Sequence, residues 1–536
     1  MLRIVILLDS LEVPAWAWEA VFQIQQAKNA QIVLSVINQS PKPSGKKSPI
    51  LYRTYRWIDR KFFLKQPDAF AKKNLQNIPG WEVPELPIKP IQKTYSDYFD
   101  SKDLDQIRAC APDILIRFGF RILRGEVLKL ATLGVWSYHH GDPKVYRGGP
   151  PAFWEVVKQI PTTGCVLMKL NEDLDRGKVL YQTHTQTDPL SVQRNGNKIF
   201  WASSNFPFRV LKEIDRIGVD NWNKQLENEN TQDHAKSPLW RNPRTLDLIR
   251  GISNLLYGNL KRKVREKRHQ AHWDIGTVDF LTFSNQVISK KDITFLPNSE
   301  SFKKYFADPF PFFYQGKWMF FAELFGKKKG KGSIALIDEK GNHQVILEES
   351  YHLSYPFLLE EDGNYFLLPE SAEAGHLILY RSTNFPFSWE KIQIFFPEEA
   401  YDPTLWKNED GYWLFVNQKF NPACSPFDEL YLYFSPSLIG TKWTPHPKNP
   451  IVSDVRKARP AGRLFKKDGK IYRPAQDSAK RYGHRIRVME IKELSLVDYL
   501  EEEAFRVEPD ESSGILGIHT LNQLGENWIL DFYSRK

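Results

Sequence analysis

Three short stretches hold residue types that together could move a proton at an amine. Ser137-Tyr-His-His-Gly-Asp142 supplies imidazoles and a carboxylate, Tyr146-Arg-Gly-Gly149 a basic turn, and Leu174-Asp175-Arg-Gly177 a second carboxylate on a later loop. A general base working near neutral pH is most often His, and a carboxylate that orients or charges it is its usual partner. His139 with Asp175 is the expected pair. Asp142 is read as orienting His139 or binding an amine substrate, with His140 beside it. The alternative is that these groups only satisfy the hydrogen bonds of their turns.

The surrounding elements read as an α/β unit. Leu2-Arg-Ile-Val-Ile-Leu-Leu8 is the near-continuous apolar run of a strand buried in a parallel sheet. Val13 to Gln26 has helical spacing, and Gln31 to Ile37 reads as a second strand, the start of a doubly wound unit. No Gly-x-Gly-x-x-Gly follows the first strand, so a dinucleotide cofactor is not indicated. Residues 39 to 66 read as an insertion or lid, whose Trp57, Tyr52 and Tyr55 either pack locally or stack on a sugar or pterin ring.

In order and spacing these pieces resemble the N-terminal domain of folate-dependent formyltransferases over roughly residues 1 to 215. Pro112-Asp-Ile-Leu-Ile-Arg-Phe-Gly119 matches the strand and turn before the site, Thr163-Gly-Cys-Val-Leu-Met168 the strand after it, and Asp175 the family's catalytic Asp. The resemblance implies a Rossmann-like fold, 10-formyltetrahydrofolate as formyl donor, and a primary amine as acceptor. It further implies that Phe118, Gly119, Phe120, Ile122 and Leu123 line the pterin pocket and that Arg147 and Gly148 shape the turn beneath. The family's Asn, which holds the formyl oxygen, aligns with Ser137 here. Ser137 and backbone N–H groups would then hold the oxyanion, and losing one such donor typically costs ~10²–10³ in rate.

The second half differs in character. Aromatics, turn residues and short alternating apolar runs recur, as in an all-β fold. Asp308-Pro-Phe, Tyr355-Pro-Phe and Asp402-Pro-Thr lie 47 residues apart, with Arg459-Pro-Ala and His519-Thr-Leu at longer intervals, a blade-like period. Glu323, Glu370 and Asn417 each follow their marker by 15 residues, and Gln476 takes the equivalent place in the fourth unit. Five units begin near 300, 350, 397, 455 and 512, and Val278-Asp-Phe-Leu-Thr-Phe283 is expected to close the ring against Trp528–Phe532. These motifs resemble the five-bladed propellers of family-43 glycoside hydrolases. Phe306–Phe310, Leu353–Phe357, Pro369–Ser371 and Ala458–Arg463 more closely resemble the N-terminal domain of plant glucosamine inositolphosphorylceramide transferases. Asp308, Glu323, Glu370, Asp402, Asn417, Arg459, Arg463 and His519 are the expected channel residues. Their other reading is as strand caps and turn binders.

The expected organisation is a formyltransferase-like domain over 1–215, a basic helical linker over 216–273 and a propeller over 274–536. The chain of 536 residues carries a formal net charge of +10, which permits an acidic partner without choosing one. The run Leu260–His269 reads as a solvated basic helix face or, less readily, as a contact with a membrane surface. The three widely spaced cysteines Cys110, Cys165 and Cys424 fit a reducing, cytoplasmic setting and give no thiolate metal site; no metal is indicated. Nucleic acid is not an expected partner, since the propeller stands where the tRNA-binding barrel of methionyl-tRNA formyltransferases would. The residues thus point to an N-formyltransferase acting on an amino sugar or sugar nucleotide, with a propeller that binds the carbohydrate. The rival is a glycan-active or glycan-binding propeller beside an inactive formyltransferase-like domain.

Overall fold

The computed structural model describes residues 1–41, 48–145, 147–228, 237–268, 271–279, 284–297, 304–440 and 442–535; the side chains of 261–263, 265–268, 271 and 535 lie outside that description. Two compact units result, Met1–Gly258 with Phe420–Ser425, and Asn259–Lys419 with Pro426–Lys536.

Among the described residues the first unit is built on a seven-stranded sheet. Its order is Lys178–Gln186, Thr162–Lys169, Val135–His139, Ile114–Arg117, Leu2–Leu8, Ala30–Asn38, Glu85–Ile88. Leu2–Leu8 runs parallel to both neighbours, and Ile4 to Leu8 are completely buried, as a central strand covered on both faces requires. Thr162–Lys169 and Lys178–Gln186 instead form an antiparallel hairpin at the other sheet edge. The first unit also carries helices α1 (Ala15–Gln25), α2 (Ile50–Phe63), α3 (Ser101–Ala109), α4 (Trp154–Val157), α5 (Val192–Ser203), α6 (Phe206–Ile217) and α7 (Val219–Asn228), and α8 (Thr245–Arg268) runs from it into the second. Within the insertion, Tyr52 and Tyr55 of α2 pack edge-on against Phe153, whereas Trp57 is 62% exposed.

The second unit is a five-bladed propeller, its five sheets counted among the described residues. Blades one to three are Lys304–Leu347, Ser354–Phe396 and Tyr401–Ser453; blade four runs from Arg459 to Pro509 and blade five from Ile515 to Arg535. The ring is closed by Ala271–Val278, paired antiparallel with Asn527–Arg535. The closing strand therefore lies upstream of the expected 278–283: Trp528 meets Val278, and Phe280-Leu-Thr-Phe283 falls outside the described residues.

The first three markers sit on bulges in the first strand of their blades, between Ala307 and Phe310, Ser354 and Phe357, and Tyr401 and Thr404. Asp308, Tyr355 and Asp402 have φ of 51°, 46° and 47°, a conformation that costs an L side chain of order 1–3 kcal/mol. The proline that follows each brings no N–H to the interrupted ladder. The bulges break the alternation of the strand, so the markers leave the sheet faces and reach across to neighbouring blades.

Candidate functional site

In the first unit, Ser137 and His139 alternate along the strand Val135–His139 and so share one side of the sheet. Asp175 comes from the turn of the edge hairpin, where φ is 52° and Gly177 is obligatory: a Cβ there would lie 2.2 Å from the Lys169 carbonyl oxygen. His139 Nδ1 stands 3.4 Å from Asp175 Oδ1, and the other carboxylate oxygen accepts the Gly148 N–H at 2.9 Å. With Nδ1 turned to a carboxylate, the proton belongs on Nδ1, which leaves Nε2 as a base. Nε2 is buried with no hydrogen-bond partner. Burial lowers the His139 pKa, and Arg117 lowers it further, against the attraction of Asp175 and Asp142. The ring is therefore neutral near pH 7.

Arg117, read in the sequence only as part of a strand, belongs to this site. Its Nε donates to Ser137 Oγ at 2.9 Å and its Nη1 to the Arg121 carbonyl at 2.8 Å. The sequence signal was available: a cation inside the apolar run Ile114–Phe118 is rare without a partner. The Arg117 guanidinium therefore holds a positive charge beside the Ser137 hydroxyl. Arg117→Gln is expected to raise the His139 pKa, because a cation that opposes its protonation is gone. Imidazole NMR titration of wild type and variant checks the sign of that shift.

Other expected residues have different work. His140 does not face the pair: its ring stacks 3.6 Å from Phe200, its Nε2 lies 3.3 Å from Ser203 Oγ, and burial pulls its pKa to about 3. Asp142 pairs with His184 Nε2 at 3.1 Å instead of orienting His139, because the turn aims its carboxylate at the edge hairpin. Leu123 is a core residue, 2% exposed, and Phe120 packs on Phe99. Phe118 packs against Trp16 and Tyr138, and Ile122 pairs with Ser96 in a small sheet. Gly119 is needed where it is, since a Cβ would stand 2.3 Å from the Asp9 N. Arg147 and Gly148 pair with Leu239 and Trp240; Tyr146 lies outside the described residues. Glu155 was not foreseen: it is fully buried, both carboxyl oxygens lack partners, and burial pushes its pKa up to about 8.

A small open cleft of about 120 Å³ lies at the carboxyl ends of the parallel strands, lined by Asp9, Asn38, Ser40, Pro41, Gln92, Phe120 and Arg121. Ligands of open α/β sheets bind in this position. Arg121 is already held by Asp97 and by the carbonyls of Lys93 and Ser96.

The propeller interior gathers the second set of residues into two clusters. In one, Asp308 Oδ1 accepts from Thr520 Oγ1 at 2.7 Å, and His519 Nδ1 lies 2.6 Å from Asp531, its Nε2 3.4 Å from Asp308. In the other, Arg459 grips Asp402 through two nitrogens, reaches Glu370 at 3.5 Å, and lies over the rings of Phe427 and Tyr482. Gln476 also donates to Asp402, at 3.1 Å. The acids serve as latches between blades: Asp531 accepts the Asp308 N–H, Asp308 that of Tyr355, and Glu370 that of Asp402. Asp531, on the last strand of the fifth blade, is a further acid of this interior. Asn417 donates to the Glu429 carbonyl in its own blade, and the Arg463 guanidinium stacks on Phe310 and Phe357. Glu323 alone among the channel acids accepts no recorded hydrogen bond; His352 Nε2 is 3.6 Å away, and burial raises its pKa well above the usual range.

Ligand atoms of Asp308, His519 and Asp531 lie within 4.8 Å of one another, close enough for a metal. Both His519 nitrogens, however, face carboxylates, an ion-paired arrangement. Burial pulls the His519 pKa down, but Asp531 and Asp308 outweigh it and leave it at about 9. A His whose folded pKa exceeds its ordinary value near 6.5 contributes stability that is complete below pH 6.5 and lost as pH rises through 9. Asp308, raised from 3.8 to about 6 mainly by burial, adds a loss of the same sign at lower pH, between about 3.8 and 6. Propeller stability should thus fall between pH 6.5 and 9, by about 3 kcal/mol from His519. Chemical unfolding across that range measures it.

Residues 278–514 match the family model described as Glucosamine inositolphosphorylceramide transferase 1, N-terminal. The protein of that name from Arabidopsis thaliana is 35% identical over 232 residues, 41% of this chain and 29% of the relative, so the chain spans under a third of its length. A methionyl-tRNA formyltransferase from Prochlorococcus marinus is 30% identical over 146 residues, 26% of this chain and 43% of that enzyme. Among solved structures, the catalytic domain of a Coprinopsis cinerea GH62 α-L-arabinofuranosidase aligns with a TM-score of 0.33 at 13% identity, covering 49% of this chain and 98% of that one. The chain thus resembles a formyltransferase N-terminal domain joined to a propeller of the glucosamine inositolphosphorylceramide transferase type, and the curated relatives just named are transferases.

Proposed function

We propose that the first unit transfers a formyl group from 10-formyltetrahydrofolate to a primary amine, carried by an amino sugar or sugar nucleotide, and that the propeller binds carbohydrate. The observation that carries the reading is His139: a buried, neutral imidazole with Nδ1 on Asp175 and Nε2 unpartnered. As the amine nitrogen attacks the formyl carbon, Nε2 takes the amine proton, and Asp175 stabilises the imidazolium that results. The formyl oxygen gains charge beside Ser137 and Arg117. Collapse of the tetrahedral intermediate breaks the bond to folate N10, which takes up a proton and leaves as tetrahydrofolate.

The propeller reading is binding and not hydrolysis. Glycoside hydrolysis needs two carboxyl groups free to act across the scissile bond. Here Asp402 is clamped by Arg459, while Asp308 and Glu370 hold backbone N–H groups of the next blade. Phe427 and Tyr482, stacked over Arg459, offer faces for a sugar ring.

Incubating the full chain with 10-formyltetrahydrofolate and a panel of amino-sugar nucleotides, with mass-spectrometric detection of the formamide, tests the first part. Ser137→Asn, which restores the family's donor, is expected to keep or raise the rate. Complete loss of transfer in that variant, folding intact, would count against the oxyanion assignment.

A further inference from the structure

Exposed apolar side chains concentrate on two helices of this protein. On α2, Ile50, Trp57, Ile58 and Phe62 recur at i, i+7, i+8 and i+12, one face of the helix. All four are exposed, Ile50 by 80% and Phe62 by 70%. The other face is fixed, with Tyr52 and Tyr55 on Phe153 and Asp59 buried. Helix α8 repeats the arrangement. Leu248 and Leu255 join the core around Phe153 and Val157, and Gly251 sits so close that a Cβ would come 2.3 Å from Val157 Cγ1. Leu246, Ile249, Leu256, Tyr257 and Leu260 are exposed, Leu256 by 66%.

Cations accompany both stripes. The α2 sequence carries Arg53, Arg56, Arg60 and Lys61; Arg56 pairs with Asp59 and Arg60 with Asp68, which leaves Arg53 and Lys61 for an outside partner. On α8, Arg250 follows the exposed Ile249 directly. Lys61 Nζ lies 5.2 Å from the Trp57 ring centroid, at the border of the apolar face. Apolar stripes of this extent mark interaction surfaces.

We propose that α2 and α8 dock on an anionic lipid surface. The Trp, Phe, Ile and Leu tips enter the boundary between head groups and acyl chains, and Arg53, Lys61 and Arg250 meet the head-group charge. A second copy of the chain is a poorer occupant, because it would bring two cationic faces together. Contact is peripheral: among the described residues no helix is long and apolar enough to cross a membrane. The proposal is independent of the formyl-transfer reading.

Co-sedimentation of the full chain with vesicles of phosphatidylcholine, with and without phosphatidylserine, tests it. Binding should require phosphatidylserine and weaken as salt rises. It should fall about tenfold or more in Trp57→Glu/Phe62→Glu and in Leu256→Glu/Tyr257→Glu. Trp57→Ser/Phe62→Ser, which leaves the charge unchanged, should also weaken it, and an unaltered melting temperature shows that each variant is folded. Failure of the wild-type chain to bind, or equal binding by folded variants, overturns the proposal. So does light scattering that finds a wild-type dimer and monomeric variants, which assigns the face to a second copy.

Discussion

His139→Gln is expected to reduce formyl transfer ~10²–10⁴-fold, the usual contribution of a positioned general base, while leaving folate binding in place. The size follows from geometry: the base is one atom, Nε2, buried and unpartnered, and its tautomer is set by Asp175. A Gln amide cannot take a proton. Asp175→Asn should also lower the rate, by removing the charge that stabilises the imidazolium. It disturbs more than chemistry, because the same carboxylate accepts the Gly148 N–H that fixes the turn. Single-turnover assays beside an equilibrium binding measurement separate the two effects. Because burial keeps the His139 pKa below its usual value, the active, neutral form should persist to more acidic pH than a surface His would allow.

Arg459→Met is expected to destabilise the propeller by about 3–5 kcal/mol, the cost of stripping one partner from a buried ion pair. Both Arg459 and Asp402 are buried, and removing the cation leaves Asp402 and Glu370 as neighbouring carboxylates without a counter-charge. Adding Asp402→Asn should restore part of the loss, since the second change removes the stranded charge. Urea unfolding of the single and double variants measures both effects. A loss under about 1 kcal/mol for the single variant would mean that the pair is no latch.

Much of this was legible in the sequence. The apolar run Leu2–Leu8 could only be a strand covered on both faces, and the 47-residue spacing of Asp308, Tyr355 and Asp402 disclosed blades before any strand was placed. What stayed hidden depends on direction. His139 and His140 are adjacent, yet a strand sends them to opposite faces, so one meets Asp175 and the other stacks on Phe200. The channel acids read equally as ligand-facing or as turn binders, and the structure shows their marker bulges presenting backbone N–H groups that the acids accept. Arg117 was passed over because a strand reading counts its neighbours as apolar and does not ask what a buried cation would touch. The ring-closing strand was placed too late because the run near 280 is as apolar as the segment that pairs.

The most direct test of the central claim is a calorimetric titration of the full chain with 5-formyltetrahydrofolate, a stable analogue of the proposed donor. The account predicts saturable binding at one site, with a matching rise in the stability of the first unit of about 2.7 kcal/mol at ~100 times the dissociation constant. Absence of binding at concentrations that saturate a formyltransferase control would contradict a folate site and leave the propeller as the working part of the molecule.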